Sequence, residues 1–235
     1  MPDPEIQPGQ LPEPERVAKS ARLIGTVIPL SLLGAILCLL LFSWLAHEVF
    51  EGETMRFDAA IRNWVHQFAS PSLTCAMFAI SWMGAVGLGL LLLISVIVFF
   101  AIRWNRAAVW LMLSMAGSDL LIVSLKLTFH RPRPTAFFGA EPHSFSFPSG
   151  HSLASFCFYL VLAGLISSRV SSKLARVAIW IASGIMVAAI GLSRVYLGVH
   201  YPSDVIAGYL GAAVWVGTLL AADHVRARRR SAGQS

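Results

Sequence analysis

The chain has 235 residues, of which 56% are hydrophobic and only 13% charged, with a formal net charge of +6. Soluble globular domains carry about twice that share of charged residues, so composition excludes one and points to a membrane protein. The basic balance fits nucleic acid or the Lys/Arg excess of cytoplasmic loops, and the placement of the cations decides between them.

Residues 1–15 are rich in Pro and acid, a composition that cannot bury a core. They also lack the basic start of a secretory signal. With the cations that follow, residues 1–22 are expected to be a disordered cytoplasmic tail. Six apolar runs come next, over roughly 23–46, 75–102, 107–125, 153–168, 177–192 and 205–222. A bilayer-crossing helix needs about 20 apolar residues. The first three runs meet this easily, and the fourth and fifth need a few more residues at their ends. The stretch 47–74 reads as amphipathic, a short helix in the interface. Gly84, Gly87, Gly89, Gly208 and Gly211 suit close helix packing in lipid. Cys38, Cys75 and Cys157 each lie in an apolar run and form neither a disulfide framework nor a CxxC metal motif. The expected fold is all-α, a bundle of six transmembrane helices over residues 23–224, with a basic cytoplasmic tail at 225–235. The length leaves no room for a large second domain.

The cations fix the topology. Arg16, Lys19, Arg22, Arg103, Arg106, Arg169, Lys173, Arg176, Arg226, Arg228, Arg229 and Arg230 flank alternate ends of the runs, 12 of the 18 Lys and Arg on one side. The positive-inside rule makes that side cytoplasmic, both termini included. Nucleic acid then becomes unnecessary as a partner, and the Arg-rich tail reads as a topology anchor near anionic lipid.

Six cations remain on the opposite side: Arg56, Arg62, Lys126, Arg131, Arg133 and Arg194. Charge beside a membrane helix is costly and asks for a reason. Three strings supply it: Lys126-LTFHRP-Arg133-Pro134, Pro148-Ser149-Gly150-His151, and Ser193-Arg194-VYLGV-His200-YPS-Asp204. Each sits at the outer end of an expected helix, so a bundle can bring them together. Lys126, Arg133 and Arg194 offer forked donors and a point charge that match phosphate oxygens. Backbone N–H groups of Ser149, Gly150 and His151 can open a helix N-terminus, which also binds anions. Pro202 suits a first helical turn and puts Asp204 near its start. Asp204 can then orient His200 and leave its other ring nitrogen free to attack, while His151 can protonate a leaving oxygen. Two His and one Asp also suit a metal. Three fixed cations against one carboxylate, however, leave the site net positive, which repels a divalent ion. No metal and no cofactor are expected.

These strings resemble the signature of the type 2 phosphatidic acid phosphatase superfamily, KxxxxxxRP, PSGH and SRxxxxxHxxxD. Every signature position is filled, by Lys126, Arg133, Pro134, Pro148, Ser149, Gly150, His151, Ser193, Arg194, His200 and Asp204. The resemblance implies that His200 is the nucleophile and forms a phosphohistidine, that Asp204 orients it, and that His151 protonates the leaving group. Lys126, Arg133, Ser149, Gly150 and Arg194 would hold the phosphate. Bacterial members of this kind dephosphorylate undecaprenyl diphosphate, phosphatidylglycerophosphate, phosphatidate or lipid A, and soluble vanadium haloperoxidases share the motifs. The resulting expectation is a metal-independent lipid phosphatase of a bacterial inner membrane, its active site facing the periplasm or cell exterior, with a membrane lipid phosphate and the bilayer as partners.

Two rival functions stay open. A phosphotransferase would use the same residues and pass the phosphate to another lipid. A transporter is permitted by six helices but would place its site near the midplane, often between internal repeats, and no repeat is found here. Arg131 can face headgroups or help hold a second phosphate. Asp119, inside the third run, is a functional candidate, although a structural bond to Ser118, Ser124 or a neighbouring helix is preferred. Phe137, Phe138, Phe145 and Phe147 can line a groove for a lipid tail or anchor the loop in the interface. His47, His66, His130, His143 and His224 read as ordinary interfacial side chains.

Overall fold

The computed structural model describes residues 14–140 and 142–232, all of whose regular elements are α-helices. In chain order they are α1 (Pro14–Glu51), α2 (Met55–His66), α3 (Pro71–Trp82), α4 (Val86–Ala101), α5 (Asn105–Phe129), α6 (Gly150–Ser167), α7 (Lys173–Tyr196) and α8 (Pro202–Ala232). Six stretches are long and apolar enough to cross a membrane, with α3 and α4 together forming one of them. Exposed Leu, Ile, Val, Phe and Trp side chains cover these helices, including Leu33, Leu40, Leu93, Ile97, Leu120 and Ile185. Such a surface is stable against lipid tails and not against water.

The tail expected over residues 1–22 lies outside the described residues up to position 13, and residues 14–22 are the first turns of α1. At the other end α8 runs on through Arg226 to Ala232, so the basic segment extends a helix. The amphipathic stretch contains α2, as its pattern suggests. The second apolar run is not one helix but two. It breaks at residues 83–85, where Ala85 leaves helical geometry and the Tyr159 hydroxyl donates to the Met83 carbonyl at 2.9 Å. Gly84 sits in the break because there is no space for a side chain. A Cβ there would lie 2.6 Å from Ile190 and 3.2 Å from the His151 ring.

α6 is the hub of the bundle, packing on α5, α7 and α8, while α1 runs along α8. The main core joins Leu88, Phe99, Leu111, Met115, Leu153, Cys157, Phe158 and Ala212 from α4, α5, α6 and α8. The chain crosses back and forth so that the C-terminal ends of α5 and α7 and the N-terminal ends of α6 and α8 meet at one end, capped by α2. At the opposite end Arg106 pairs with Asp223 at 2.5 Å and Arg169 lies over the Trp104 ring.

Asp119 does not face the bundle. It is exposed on α5, and neither Ser118 nor Ser124 bonds to it; the buried Ser118 hydroxyl has no partner among the described residues. Two residues before Asp119 on the same helix, Gly117 packs under the Trp215 indole, whose N–H donates to the Ser114 carbonyl at 3.0 Å. A methyl group at this position would overlap the ring. Gly117→Ala is therefore expected to lower stability by about 1–3 kcal/mol through overpacking. Thermal unfolding of the purified protein in detergent checks this, and an unchanged midpoint would show that α8 can shift freely.

Candidate active site

Each of the three strings ends or begins a helix. Lys126 lies in the last turn of α5, and the chain then leaves the helix at His130, which takes a left-handed conformation (φ 46°). Ser149 is the N-cap of α6, and its hydroxyl accepts from the Ser152 N–H at 3.4 Å. Arg194 sits in the last turn of α7 and Asp204 in the first turn of α8.

Backbone contacts hold the strings together. The Ser149 N–H donates to the Asp204 carbonyl at 2.9 Å, joining the start of α6 to the start of α8. The two helices approach closely because position 208 is glycine: a Cβ there would stand 2.8 Å from the Ser149 carbonyl oxygen. The N–H groups of Phe137 and Phe138 both donate to the Leu197 carbonyl, at 3.0 and 3.2 Å. This staples the loop after the first string to the link between α7 and α8. Arg62 on α2 reinforces the staple by donating to the Thr135 and Gly198 carbonyls, with its guanidinium over the Phe137 ring.

The expected residues converge. His200 is buried. Its Nδ1 faces the Asp204 Oδ2 at 3.4 Å, and its Nε2 stands 3.0 Å from the Arg133 guanidinium. A neutral ring meets both partners when Nδ1 carries the proton and Nε2 offers its lone pair. Asp204 is fully buried, and its Oδ2 also accepts from the Tyr201 N–H at 2.9 Å. Arg133 and Lys126 reach the same two acceptors: the Ser144 hydroxyl, 3.0 Å from each, and the Phe145 carbonyl, at 3.2 and 2.7 Å. Two cations sharing oxygen acceptors define a seat that phosphate oxygens can take. Arg194 is braced by the Ser81 hydroxyl of α3, while its buried Nε has no partner among the described residues. His151, in the first turn of α6, is within electrostatic range of Arg194, His200, Arg133 and Lys126.

Several readings change here. The Ser149 N–H is occupied by Asp204, so only the N–H groups of Gly150 and His151 remain to open the helix end. Arg131 meets neither headgroups nor a second phosphate. It is buried, pairing with Asp204 at 2.6 Å and with Asp58 of α2 at 2.8 Å. Phe147 is core, packed against Phe42 and Phe129, and Phe138 stacks on Tyr196. Ser81, Asp58 and Ser144 touch this cluster without belonging to any of the three strings, and Ser203 touches it from a position of the third string that the signature leaves open.

Burial disfavours charge on the His200 imidazole and pushes it down to about 4, against an opposing hydrogen bond and charge from Asp204. Burial also lowers the Arg133 guanidinium below its ordinary value, with Asp204 pulling the other way. The unfolded chain binds a proton at position 200 below about 6.5, whereas the folded chain stays neutral there down to about 4. The stability from neutral His200 is thus fully present above the unfolded value and is lost as pH falls through the folded one. The unfolding midpoint of the wild type is expected to drop more steeply between those limits than that of His200→Gln. Parallel curves would mean that His200 is charged in the folded protein.

Comparison with known proteins identifies the family. The chain is 32% identical over 176 residues to a phosphatidylglycerophosphatase B of Bacillus subtilis (strain 168), covering 72% of this chain and 85% of that relative. It is 35% identical over 130 residues to a lipid A 1-phosphatase of Rhizobium johnstonii, covering 51% of this chain and 48% of that one. The crystal structure of a transmembrane PAP2-type phosphatidylglycerolphosphate phosphatase from Bacillus subtilis superposes with a TM-score of 0.76 at 28% identity, over 81% of this chain and 96% of the other. The family pattern described as the PAP2 superfamily matches residues 107–227, just over half of the sequence, and the chain belongs to that superfamily of lipid phosphatases.

Proposed function

We propose that the protein removes a terminal phosphate from a membrane lipid, without a metal, through a phosphohistidine on His200. The observation that carries this reading is the His200 ring, with Nδ1 toward a buried carboxylate and Nε2 toward the guanidinium of the phosphate seat. When a phosphate monoester or diphosphate enters, Lys126 and Arg133 take its oxygens in place of Ser144 and Phe145, and Arg194 adds its guanidinium. The N–H groups of Gly150 and His151 add the field of a helix N-terminus. His200 Nε2 then attacks phosphorus. The bond to the lipid oxygen breaks, and that oxygen takes a proton from His151. Water next attacks the phosphohistidine and gives its proton to His151, and free phosphate leaves. Asp204 stabilises the imidazolium formed in the first step.

Substrate and placement follow from similarity and charge. The Bacillus relative is named for phosphatidylglycerophosphate, which makes that lipid one candidate beside undecaprenyl diphosphate and phosphatidate. The twelve cations on the opposite side support cytoplasmic termini and a site at the periplasmic or external face of a bacterial inner membrane. Residues 23–224 make up the phosphatase domain on this reading. A lipid alcohol in place of water would turn the same steps into phosphotransfer.

Phosphate release in detergent with chelator present tests the proposal, using phosphatidylglycerophosphate, undecaprenyl diphosphate and phosphatidate. Release is expected from at least one lipid, and none from His200→Ala. Activity that needs added magnesium would refute the metal-free route, and activity retained in His200→Ala would refute the nucleophile. Release only after a lipid acceptor is added would identify phosphotransfer. His151→Ala is expected to slow the natural lipids by about 10²–10⁴-fold, the usual worth of a general acid, and an activated aryl phosphate far less. Equal losses on both would remove His151 from the acid role.

A further inference from the structure

We infer that Asp58 of α2, acting through Arg131, is a positioning residue for the His200–Asp204 pair. The inference rests on the roles proposed above for those two residues. Asp58 lies outside the segment that matches the family pattern, yet it is fully buried, as is Asp204.

The geometry is a closed network. One arm of the Arg131 guanidinium donates to Asp204 Oδ1 at 2.6 Å and to the Ser203 hydroxyl at 2.8 Å. The other donates to Asp58 Oδ2 at 2.8 Å and to the Thr54 hydroxyl at 3.2 Å. Asp58 in turn accepts from the Ser203 N–H at 2.9 Å and the Ser203 hydroxyl at 2.6 Å. Ser203 stands in the first turn of α8, where N–H groups have no partner within the helix. A carboxylate from another helix thus caps α8 one residue before Asp204.

Two consequences reach the reaction. Arg131 occupies Asp204 Oδ1, which leaves Oδ2 to face His200 Nδ1 and the Tyr201 N–H. The charges also matter. Arg131 paired with Asp204 alone would cancel the carboxylate whose charge must stabilise the His200 imidazolium. Sharing the guanidinium with Asp58 leaves the three-residue group with one net negative charge beside the ring. Arg131 meanwhile gives each of two buried carboxylates a cationic partner, so neither stands as an unpaired buried charge. The phosphate seat takes no part in this network, since Lys126, Arg133 and Arg194 make none of its bonds.

The test is Asp58→Asn, which keeps the size and one acceptor of the side chain and removes its charge. Steady-state kinetics on the full-length protein in detergent use the best lipid of the panel above, with rates referred to the folded fraction. kcat is expected to fall about tenfold or more, as when an outer partner of a working group is lost, with KM unchanged. An unchanged kcat, or a loss confined to KM, would overturn the inference, because a residue that only braces α2 would alter the folded fraction alone. Should Asp58→Asn not fold, Thr54→Val removes a single bond to Arg131 and is expected to cost about threefold in kcat at constant KM; no change there would also overturn it. His200→Ala separates the two levels. An inactive His200→Ala beside an unaffected Asp58→Asn sinks only this inference, whereas an active His200→Ala sinks the proposed mechanism and this inference with it.

Discussion

Like charges repel, and the site brings Lys126, Arg133 and Arg194 into one half-buried space. What keeps them there is a set of neutral oxygens and one buried carboxylate. The Phe145, Ser144 and Val199 carbonyls and the Ser144 and Ser81 hydroxyls accept from the three cations, and Asp204 lies close by. Neutral acceptors neutralise nothing, so the cluster stays electropositive and most of its donors remain transferable. On the proposed function, an incoming phosphate would gain charge-assisted bonds where the protein has dipolar ones, and little reorganisation would be needed when charge builds up on it.

That arrangement is useful only if three distant strings share one coordinate frame, and backbone bonds provide it. The Ser149 N–H to the Asp204 carbonyl ties the second string to the third, and Leu197 ties the third to the loop after the first. Gly208 and Gly198 make these ties possible. Position 208 has no room for a Cβ over Ser149, and Gly198 has φ +78° with the Phe137 backbone only 2.5 Å from where a Cβ would stand. Errors of about an ångström in such placement cost large factors in rate. Glycines away from any ligand are therefore as much a part of the site as the residues that touch it.

The six runs and the convergence of Lys126, Arg133, Arg194, His151, His200 and Asp204 were legible because each rests on a local signal: apolar length, or charge where the membrane makes charge expensive. The rest depended on tertiary contact. Nothing in an apolar string containing Gly84, Gly87 and Gly89 says which glycine breaks the helix; His151 and Ile190, packed on Gly84, decide it. Nothing in the local sequence singles out Asp58, because its partners lie 73 and 145 residues away. Asp119 was expected to face inward on cost alone, and it faces outward, since helical rotation is set by packing on all sides and not by one residue.

The two arginines of the first string show how a local rule can separate roles that composition cannot. Arg131 and Arg133 are two residues apart and chemically identical, yet one is buried between carboxylates and the other lines the phosphate seat. Each precedes a proline, Pro132 and Pro134. A residue before proline is pushed out of helical geometry toward extended backbone. In a fully extended strand, side chains two apart would point the same way, so two prolines in a regular strand would have sent both guanidiniums to one face. The observed divergence means that the segment 131–134 turns as it runs from α5 toward the staple at Leu197. That turn begins at His130, whose left-handed conformation ends the helix and redirects the chain. Arg131 is thereby delivered to α2 and α8 at once, and Arg133, one step further on, to His200. The first string thus carries two cations to two sides of His200: one holds the carboxylate behind the ring, and the other stands at its Nε2, where the proposed mechanism puts the phosphate.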